Sequence, residues 1–329
     1  MQRKFLGVLA AGVIAAVAIA AIAFGPAGLG NLSSPGSNPN EPGTVTGPQP
    51  TAFDAPTWHQ GDSWTYEVNA SSRSLQPDGP SASGHLTRTV VSASASQYNV
   101  SLEGTFHVRW MVEPTPLADA SGAPAMTMCQ SMLENATVGG YSWYRASDLA
   151  LQKEVRTVAV HGSSRTQAGV YDASYSATVE TTFDPALDIW SFPLKANETW
   201  NATGNATVHA WIQWQLTAPN GSWKEVANFT YTHSVRLFLM SGEAVDVSTP
   251  AGTFTSIPVS MGRPELDVTH AQITADPADR AMGLDHEVPV EQNHAMQAWF
   301  SGTAKNVVKA QMFAAGMRLN LVLSTYHLG

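Results

Sequence analysis

The sequence predicts a mainly β protein with two duplicated antiparallel modules, each a curved, half-barrel-like sheet, after an N-terminal transmembrane or signal helix and a disordered tether. From Trp64 onward apolar and polar residues alternate with a period of two. This pattern is typical of strands with one buried and one solvated face, which belong to antiparallel sheets. A set of landmarks also occurs twice in the same order. Such a repeat indicates a duplicated supersecondary unit.

The N-terminal segment predicts a membrane-targeting helix. Phe5–Phe24 is twenty residues without a charge, preceded by Arg3-Lys4 and ended by Gly25-Pro26. As a helix it would rise about 30 Å, enough to cross a bilayer core, and the preceding positive charge places the remainder outside. Ala21-Ile22-Ala23 is an acceptable cleavage site. We therefore expect residues 1–24 to be a signal peptide or signal anchor, which makes the protein single-pass with an extracellular C-terminal domain, or secreted if cleaved.

The composition divides the remaining chain into a tether and two modules. Residues 25–56 are rich in Pro, Gly and Ser and predict a flexible linker. We place the first β module at 57–184 and the second at 185–329, with an acidic insertion at 263–294. Short helical turns are expected within Ala125–Glu134 and near Pro277–Leu284.

Long alternating runs predict the strands of both modules. They favour a curved meander or half-barrel over a sandwich. The runs are Trp64–Val68, Phe106–Val112, Ala173–Phe183, Val208–Leu216, Trp223–Leu239 and Met317–Leu323.

The repeated landmarks supply the candidate binding residues. Each copy has an opening Trp, then Gly-Thr-Phe, then a Trp followed by an aromatic at plus one and a Lys at plus ten. These aromatics either fill the core or line the mouth of an apolar cavity, with the Lys at the rim to meet an anionic head group. The candidate ligand-binding residues are Trp143, Tyr144, Lys153, Trp299, Phe300 and Lys309.

Nine of the fourteen asparagines lie in Asn-x-Ser/Thr sequons. This abundance predicts an N-glycosylated surface protein, and with a single cysteine it suits an archaeal cell surface. The alternative is a Ser/Thr-rich β protein that is never glycosylated. The predicted acceptors are Asn31, Asn69, Asn99, Asn135, Asn197, Asn201, Asn205, Asn220 and Asn228.

Several function classes are disfavoured by what the sequence lacks. The net charge of −9 without a basic cluster argues against nucleic acid as a partner. Cys129 is the single cysteine, so no internal disulfide can form. No nucleophile elbow, Ser-x-x-Lys or HExxH motif is present, and we predict a non-enzymatic protein without cofactors. Acids and histidines of the insertion could bind a metal, as could Met126, Met128, Cys129 and Met132, but a solvated loop and core packing explain them better, so no metal site is predicted.

Four short segments carry a family resemblance. They are Gly61–Tyr66, Phe192–Trp200, Thr249–Phe254 and Ala298–Ser301 with Val307–Lys309. Their order resembles a family of extracytoplasmic β proteins of unknown function, often lipoproteins, whose sheets are similar to the half-barrels of LolA/LolB-like lipoprotein carriers. The lipobox cysteine of such lipoproteins is absent here, and the acidic insertion is extra. The resemblance implies no catalytic residues.

Three hypotheses follow for the function. The first is a membrane-tethered surface protein whose concave sheet face binds a lipid or other apolar ligand. The second is a structural or adhesive, glycosylated envelope component that binds neighbouring envelope proteins. The third is an uncharacterised secreted hydrolase. A continuous apolar cavity would favour the first, and a filled core with an exposed apolar patch would favour the second.

Overall fold

The computed structural model describes residues 50–72, 81–112, 130–166, 169–218, 221–261, 274–275, 296–314 and 317–329. The predicted N-terminal helix and most of the tether and acidic insertion lie outside this part. Within the described residues, no helix is both long enough and apolar enough to cross a membrane.

The described chain consists of sixteen strands joined by turns and short loops. The strands of the first part of the chain are β1 (Ala52–Phe53), β2 (Ser63–Ser72), β3 (Ser81–Ala93), β4 (Gln97–Val112), β5 (Gln130–Arg145), β6 (Leu151–Thr166), β7 (Gly169–Leu187) and β8 (Leu194–Lys195). Those of the second part are β9 (Thr199–Ala218), β10 (Gly221–Ser241), β11 (Val245–Thr249), β12 (Gly252–Met261), β13 (Thr274–Ala275), β14 (Met296–Ser301), β15 (Asn306–Ala314) and β16 (Met317–His327).

Twelve strands close into one antiparallel up-and-down barrel. The ring runs β2-β3-β4-β5-β6-β7-β9-β10-β12-β14-β15-β16, and β16 returns to pair with β2. The first half of the ring is β2 to β7, and the second half is β9 to β16. The sequence predicted a mainly β fold with curved antiparallel sheets, and the structure confirms it. The halves are not separate sheets, because β7 pairs with β9 and β16 pairs with β2.

Strand alternation explains why these sequences form a barrel wall. On β9, Ala202, Ala206 and Ile212 are buried, whereas Asn201 and Trp211 on the opposite face are exposed. Apolar residues thus point inward and polar residues mostly outward, as the period of two predicts. Buried apolar side chains from each of the twelve barrel strands join one continuous core.

One end of the barrel is filled by aromatic residues. Segments 53–62 and 188–194, which precede the opening strands of the two halves, form what we call the plug. Trp58 of the plug is 3% exposed and packs against Tyr144, with ring centroids 5.6 Å apart. Trp190 packs against Phe300 at 5.2 Å. The strands therefore enclose an interior that the plug covers at this end.

Hydrogen bonds tie the first half to the β14–β15 turn of the second half. The indole nitrogen of Trp64 donates to the Ala304 carbonyl at 2.7 Å, and that of Trp58 donates to the Lys305 carbonyl at 2.9 Å. Trp64 is fully buried. A buried indole N–H requires an acceptor, and these two carbonyls supply one each.

The repeated landmarks fall at matching places in the two halves. Trp143 opposes Lys153 across β5–β6, and Trp299 opposes Lys309 across β14–β15. A register shift follows each Trp in its own strand pair. The residue six positions after each Trp adopts left-handed backbone, with φ of 57° at Leu149 and 55° at Lys305. The duplication itself stays a prediction, but the two hairpins share register, bulge and turn geometry.

Two expectations about local structure need correction. Ala125–Glu134 was expected to include a helical turn, yet Gln130–Glu134 is the first part of β5. The cross-strand partners of β4 outweigh the local apolar spacing that suggested a helix face. The boundary predicted at 184/185 falls inside β7, because that strand continues to Leu187. The second helical expectation, Pro277–Leu284, lies outside the described residues.

Candidate functional site

A cavity of about 110 Å³ lies inside the barrel between the plug and the strand interior. Pockets for drug-sized ligands are usually about 300–1,000 Å³, whereas an engineered apolar cavity of about 150 Å³ holds one benzene. The cavity is smaller than this, so it fits a small molecule of at most about six non-hydrogen atoms rather than a whole lipid. Its apolar wall consists mainly of Leu86, Leu151, Ile189, Met261, Met296, Ala298, Phe300, Ala310, Met312 and Leu321.

A second wall of the cavity is polar and centres on Arg88. This half-buried guanidinium donates to the Tyr144 hydroxyl at 2.8 Å and to Asn306 Oδ1 at 3.4 Å. It also lies over the Tyr144 ring, 5.6 Å from the centroid. Tyr66 completes this wall and donates its hydroxyl to the Val307 carbonyl at 2.9 Å. Burial raises the pKa of Tyr66, so its phenol is neutral and acts as a donor.

A buried ion pair lies beside this wall. Arg156, which also lines the cavity, donates from Nη2 to Glu154 Oε2 at 3.1 Å and to Ser142 Oγ at 2.6 Å. Its Nη1 donates to the Tyr141 carbonyl at 3.0 Å. Arg156 is 5% exposed and Glu154 is 6% exposed. Burial raises the pKa of Glu154 and lowers that of Arg156, while the attraction between the two charges opposes both shifts.

Gly140 makes room for Arg156 in this wall. The two residues are cross-strand partners, and Gly140 has a φ of 137°. A Cβ at this position would clash with the Val155 carbonyl oxygen and lie 3.1 Å from the Arg156 Cα. Glycine is the residue that tolerates this backbone conformation and this close approach.

The matching positions of the second half carry no charges. Aligning the two hairpins on their Trp–Lys pairs matches Ser142–Glu154 with Ala298–Ala310, and Gly140–Arg156 with Met296–Met312. Aligning the opening Trp residues matches Arg88 with Leu239, since these are the cross-strand partners of Trp64 and Trp200. The second half thus builds the same positions from apolar side chains. The cavity has one charged wall and one apolar wall.

The six predicted binding residues divide between the cavity and its surroundings. Tyr144 and Phe300 line the cavity, but Trp143, Lys153, Trp299 and Lys309 do not. Lys153 lies 5.6 Å from the Trp143 ring centroid and forms an ion pair with Glu180 at 2.9 Å. Lys309 lies 5.1 Å from the Trp299 ring centroid. In each pair, the Trp and the Lys therefore lie side by side on adjacent strands, and neither lines the cavity. Ligand binding by these residues stays a prediction.

The candidate residues predicted from the sequence did not include Arg88, Glu154, Arg156 and Asn306. A signal was present, because Arg156 and Glu154 share the phase of the inward residues Val158 and Val160. A charge on the buried phase of a strand is unusual and marks a site that needs explanation.

The predicted glycosylation sites are mostly exposed where the structure describes them. Asn69, Asn135, Asn197, Asn201, Asn205 and Asn228 are exposed strand or turn residues. Asn99 is half-buried, and its Oδ1 is buried without a hydrogen-bond partner. Asn31 and Asn220 lie outside the described residues. Glycosylation itself stays a prediction.

No metal centre emerges among the described residues, which contain no group of three or more His, Cys, Asp or Glu suited to hold an ion. Nearly all of the acidic insertion and Met126, Met128 and Cys129 lie outside that part of the chain. Among the described residues, the cavity lining contains no Asp, Glu, His or Cys.

Comparisons with known proteins give no family. No family model matches the chain. No curated protein matches it either. Among solved structures, it is similar to a Bacteroides fragilis protein described as exported, with a YmcC-like fold. The two are 12% identical, the match covers 84% of this chain and 99% of that chain, and the TM-score is 0.30. The LolA/LolB-like relationship stays a prediction.

Proposed function

We propose that this protein is an extracytoplasmic, non-enzymatic binding protein that holds a small, partly apolar ligand in the cavity beneath its plug. The observation that carries this proposal is the buried charged wall of that cavity. Burying charges costs free energy, and the second half of the barrel packs the same positions with Leu, Met and Ala. Charges at positions that the second half fills with apolar side chains are best explained by a ligand.

The size of the cavity refines the ligand expected from the sequence. At about 110 Å³ it is too small for a diacyl lipid. The apolar wall instead suits a short hydrocarbon body, which the three methionines Met261, Met296 and Met312 can contact with adaptable side chains. The plug aromatics Trp58 and Trp190 shield the ligand from solvent.

The location outside the cytoplasm and the membrane tether rest on the sequence. Arg3-Lys4 followed by the apolar run Phe5–Phe24 supports export with the barrel on the outer side. The exposed sequons support a glycosylated surface protein. Both remain parts of the proposal.

Native mass spectrometry of residues 50–329, purified from the natural host, tests the binding. We expect a co-purifying small molecule that is released when the protein is denatured. Ala310 lines the cavity, and Ala310→Leu should fill it and abolish the retained mass. Ala159→Leu is the matched control, because Ala159 lies on the outer face between the inward Val158 and Val160. Absence of any released ligand from the wild-type protein, or equal retention by both variants, would contradict the proposal.

A second candidate is the structural or adhesive role. Its support is a pair of exposed apolar side chains on β10, Phe238 and Met240, which are 48% and 49% exposed. Exposed apolar patches can mark contact sites for other proteins. In residues 50–329, which lack the proposed membrane segment, replacing Phe238 and Met240 with Ser should release the protein from envelope fractions if this surface binds a neighbour. Unchanged fractionation would exclude this surface as the binding site.

A further inference from the structure

We propose that the ligand of this cavity is a small monocarboxylate, and that its carboxylate docks on Arg88 and Asn306. This inference rests on the proposed binding function and specifies the chemical class of its ligand. Three observations carry it: the charge balance of the polar wall, an unpaired buried amide, and the apolar wall opposite.

The charge balance of the wall favours an anion. Arg156 is neutralised by Glu154 at 3.1 Å, and both are buried. Arg88 instead contacts the hydroxyl groups of Tyr144 and Tyr66 and the amide of Asn306, none of which is a carboxylate. Among the described residues, no carboxylate forms an ion pair with Arg88. Two guanidinium groups and one carboxylate leave a surplus of one positive charge. A single negative charge on the ligand would complete this set.

The side chain of Asn306 provides the second observation. It is 3% exposed, and its Oδ1 accepts hydrogen bonds from the Val307 amide at 2.8 Å and from Arg88 Nη1 at 3.4 Å. These two donors fix which end of the amide is oxygen, because the reverse orientation would place N–H groups against each other. Asn306 Nδ2 then has no partner among the described groups. A buried donor left unpaired is costly, so the geometry points to an acceptor supplied by the ligand.

A carboxylate matches these donors better than other anions. Its two oxygens accept hydrogen bonds in one plane, which suits a guanidinium together with an amide N–H. A doubly charged phosphate would exceed the surplus charge and leave oxygens against apolar side chains. The opposite wall is apolar, with Met296, Met312 and Leu321, and it suits a chain of a few carbons. Butanoate, with six non-hydrogen atoms, represents this class.

The matched positions supply substitutions that the fold should accept. Leu239 occupies the position that corresponds to Arg88. Ala150 corresponds to Asn306, since each lies seven residues after its hairpin Trp. Arg88→Leu and Asn306→Ala therefore remove the polar groups and install residues that this barrel already buries at equivalent places. Lys224→Leu is the control, because Lys224 is exposed on β10 and the change replaces one positive charge with Leu, as Arg88→Leu does.

The experiment compares butanoate with butanamide, which has the same size and no charge. Full-length protein in nanodiscs of zwitterionic lipid is titrated with each compound, and binding is followed by saturation-transfer NMR. We expect butanoate to bind at least about tenfold more tightly than butanamide, as a charge-assisted hydrogen-bond pair should give. Arg88→Leu should abolish the difference, Asn306→Ala should reduce it, and Lys224→Leu should preserve it. Thermal melting of each variant verifies that it is folded.

The possible outcomes separate this inference from the proposed function. Equal binding of butanoate and butanamide would overturn the carboxylate assignment while leaving a small-molecule cavity intact. Preference for butanoate that survives in folded Arg88→Leu would overturn the docking site. If neither compound binds the wild-type protein, both the carboxylate assignment and the proposed function for ligands of this size fail.

Discussion

The buried pair Glu154–Arg156 offers a sharp test of why charges lie in the barrel wall. The single substitution Arg156→Met leaves Glu154 buried beside Ser142 without its cation. The double substitution Glu154→Ala with Arg156→Met converts the pair into the Ala310–Met312 arrangement of the second half. We expect the single variant to be strongly destabilised and the double variant to be at least as stable as the wild type.

The burial of the pair sets the size of the effect. Both side chains are nearly inaccessible, so removing one partner exposes the full cost of a buried, uncompensated charge. That cost is about 3–5 kcal/mol in comparable cases, whereas replacing both partners with packed apolar residues is neutral or stabilising by about 1–4 kcal/mol. For a barrel of this length, the single variant should lose on the order of 10 °C in melting temperature.

The assay is thermal and guanidinium unfolding of wild-type, single and double variants at pH 7, followed by tryptophan fluorescence. The raised pKa of Glu154 also predicts the direction of a pH effect. Glu154 binds its proton more tightly in the folded protein than in the unfolded chain, so protonation of Glu154 stabilises the fold as the pH falls towards the ordinary Glu range. The deficit of Arg156→Met relative to wild type should therefore shrink in mildly acidic solution. A double variant as unstable as the single one would refute the reasoning, because it would show that the fold needs the charges.

Three further predictions concern other positions. Trp64→Phe should lower the free energy of unfolding by about 1–3 kcal/mol, because it leaves the Ala304 carbonyl unpaired. Trp200→Phe should lower it little, since the Trp200 indole nitrogen has no partner in the described structure. Chemical denaturation compares the two variants. Burial lowers the pKa of His233, so the folded protein resists protonation of this side chain and its stability should fall as the pH drops below about 6.5. The melting temperature of His233→Phe should therefore depend less on pH than that of the wild type. Glycopeptide mass spectrometry should find glycan on exposed Asn228 and none on half-buried Asn99, and the reverse occupancy would contradict the described burial.

The strands could be predicted from sequence because their signal is local. Alternation along β9 and β10 fixes which residues point inward, whatever the partner strands are. Closure could not be predicted in this way. It depends on the pairing of β16 with β2 and of β10 with β12, which joins residues far apart in the chain and leaves no periodic trace. Two curved half-barrels and one barrel made of two halves have the same alternation.

The buried ion pair Glu154–Arg156 escaped prediction because a β-bulge changes the phase of β6. Counting by twos forward from buried Leu151 assigns Lys153 and Val155 to the interior. A register shift between Leu151 and Lys153 instead turns Glu154 and Arg156 inward. Because of the same register shift, Lys153 does not line the cavity. Sequence periodicity fails where one inserted residue reverses the two faces of a strand.

Closure of the ring between β2 and β16 also constrains how the protein acquires its structure. The Ser324 hydroxyl donates to the Thr65 carbonyl across 259 residues of chain. While β16 is still being synthesised or translocated, the edges of β2 and β15 lack their partners and can pair with another copy. Contacts of such long sequence separation form late and slowly. Aggregation of the nascent, open sheet should therefore limit the production of this barrel. A periplasmic-type chaperone, or slow expression at low temperature, should raise the yield more than substitutions that stabilise the finished fold.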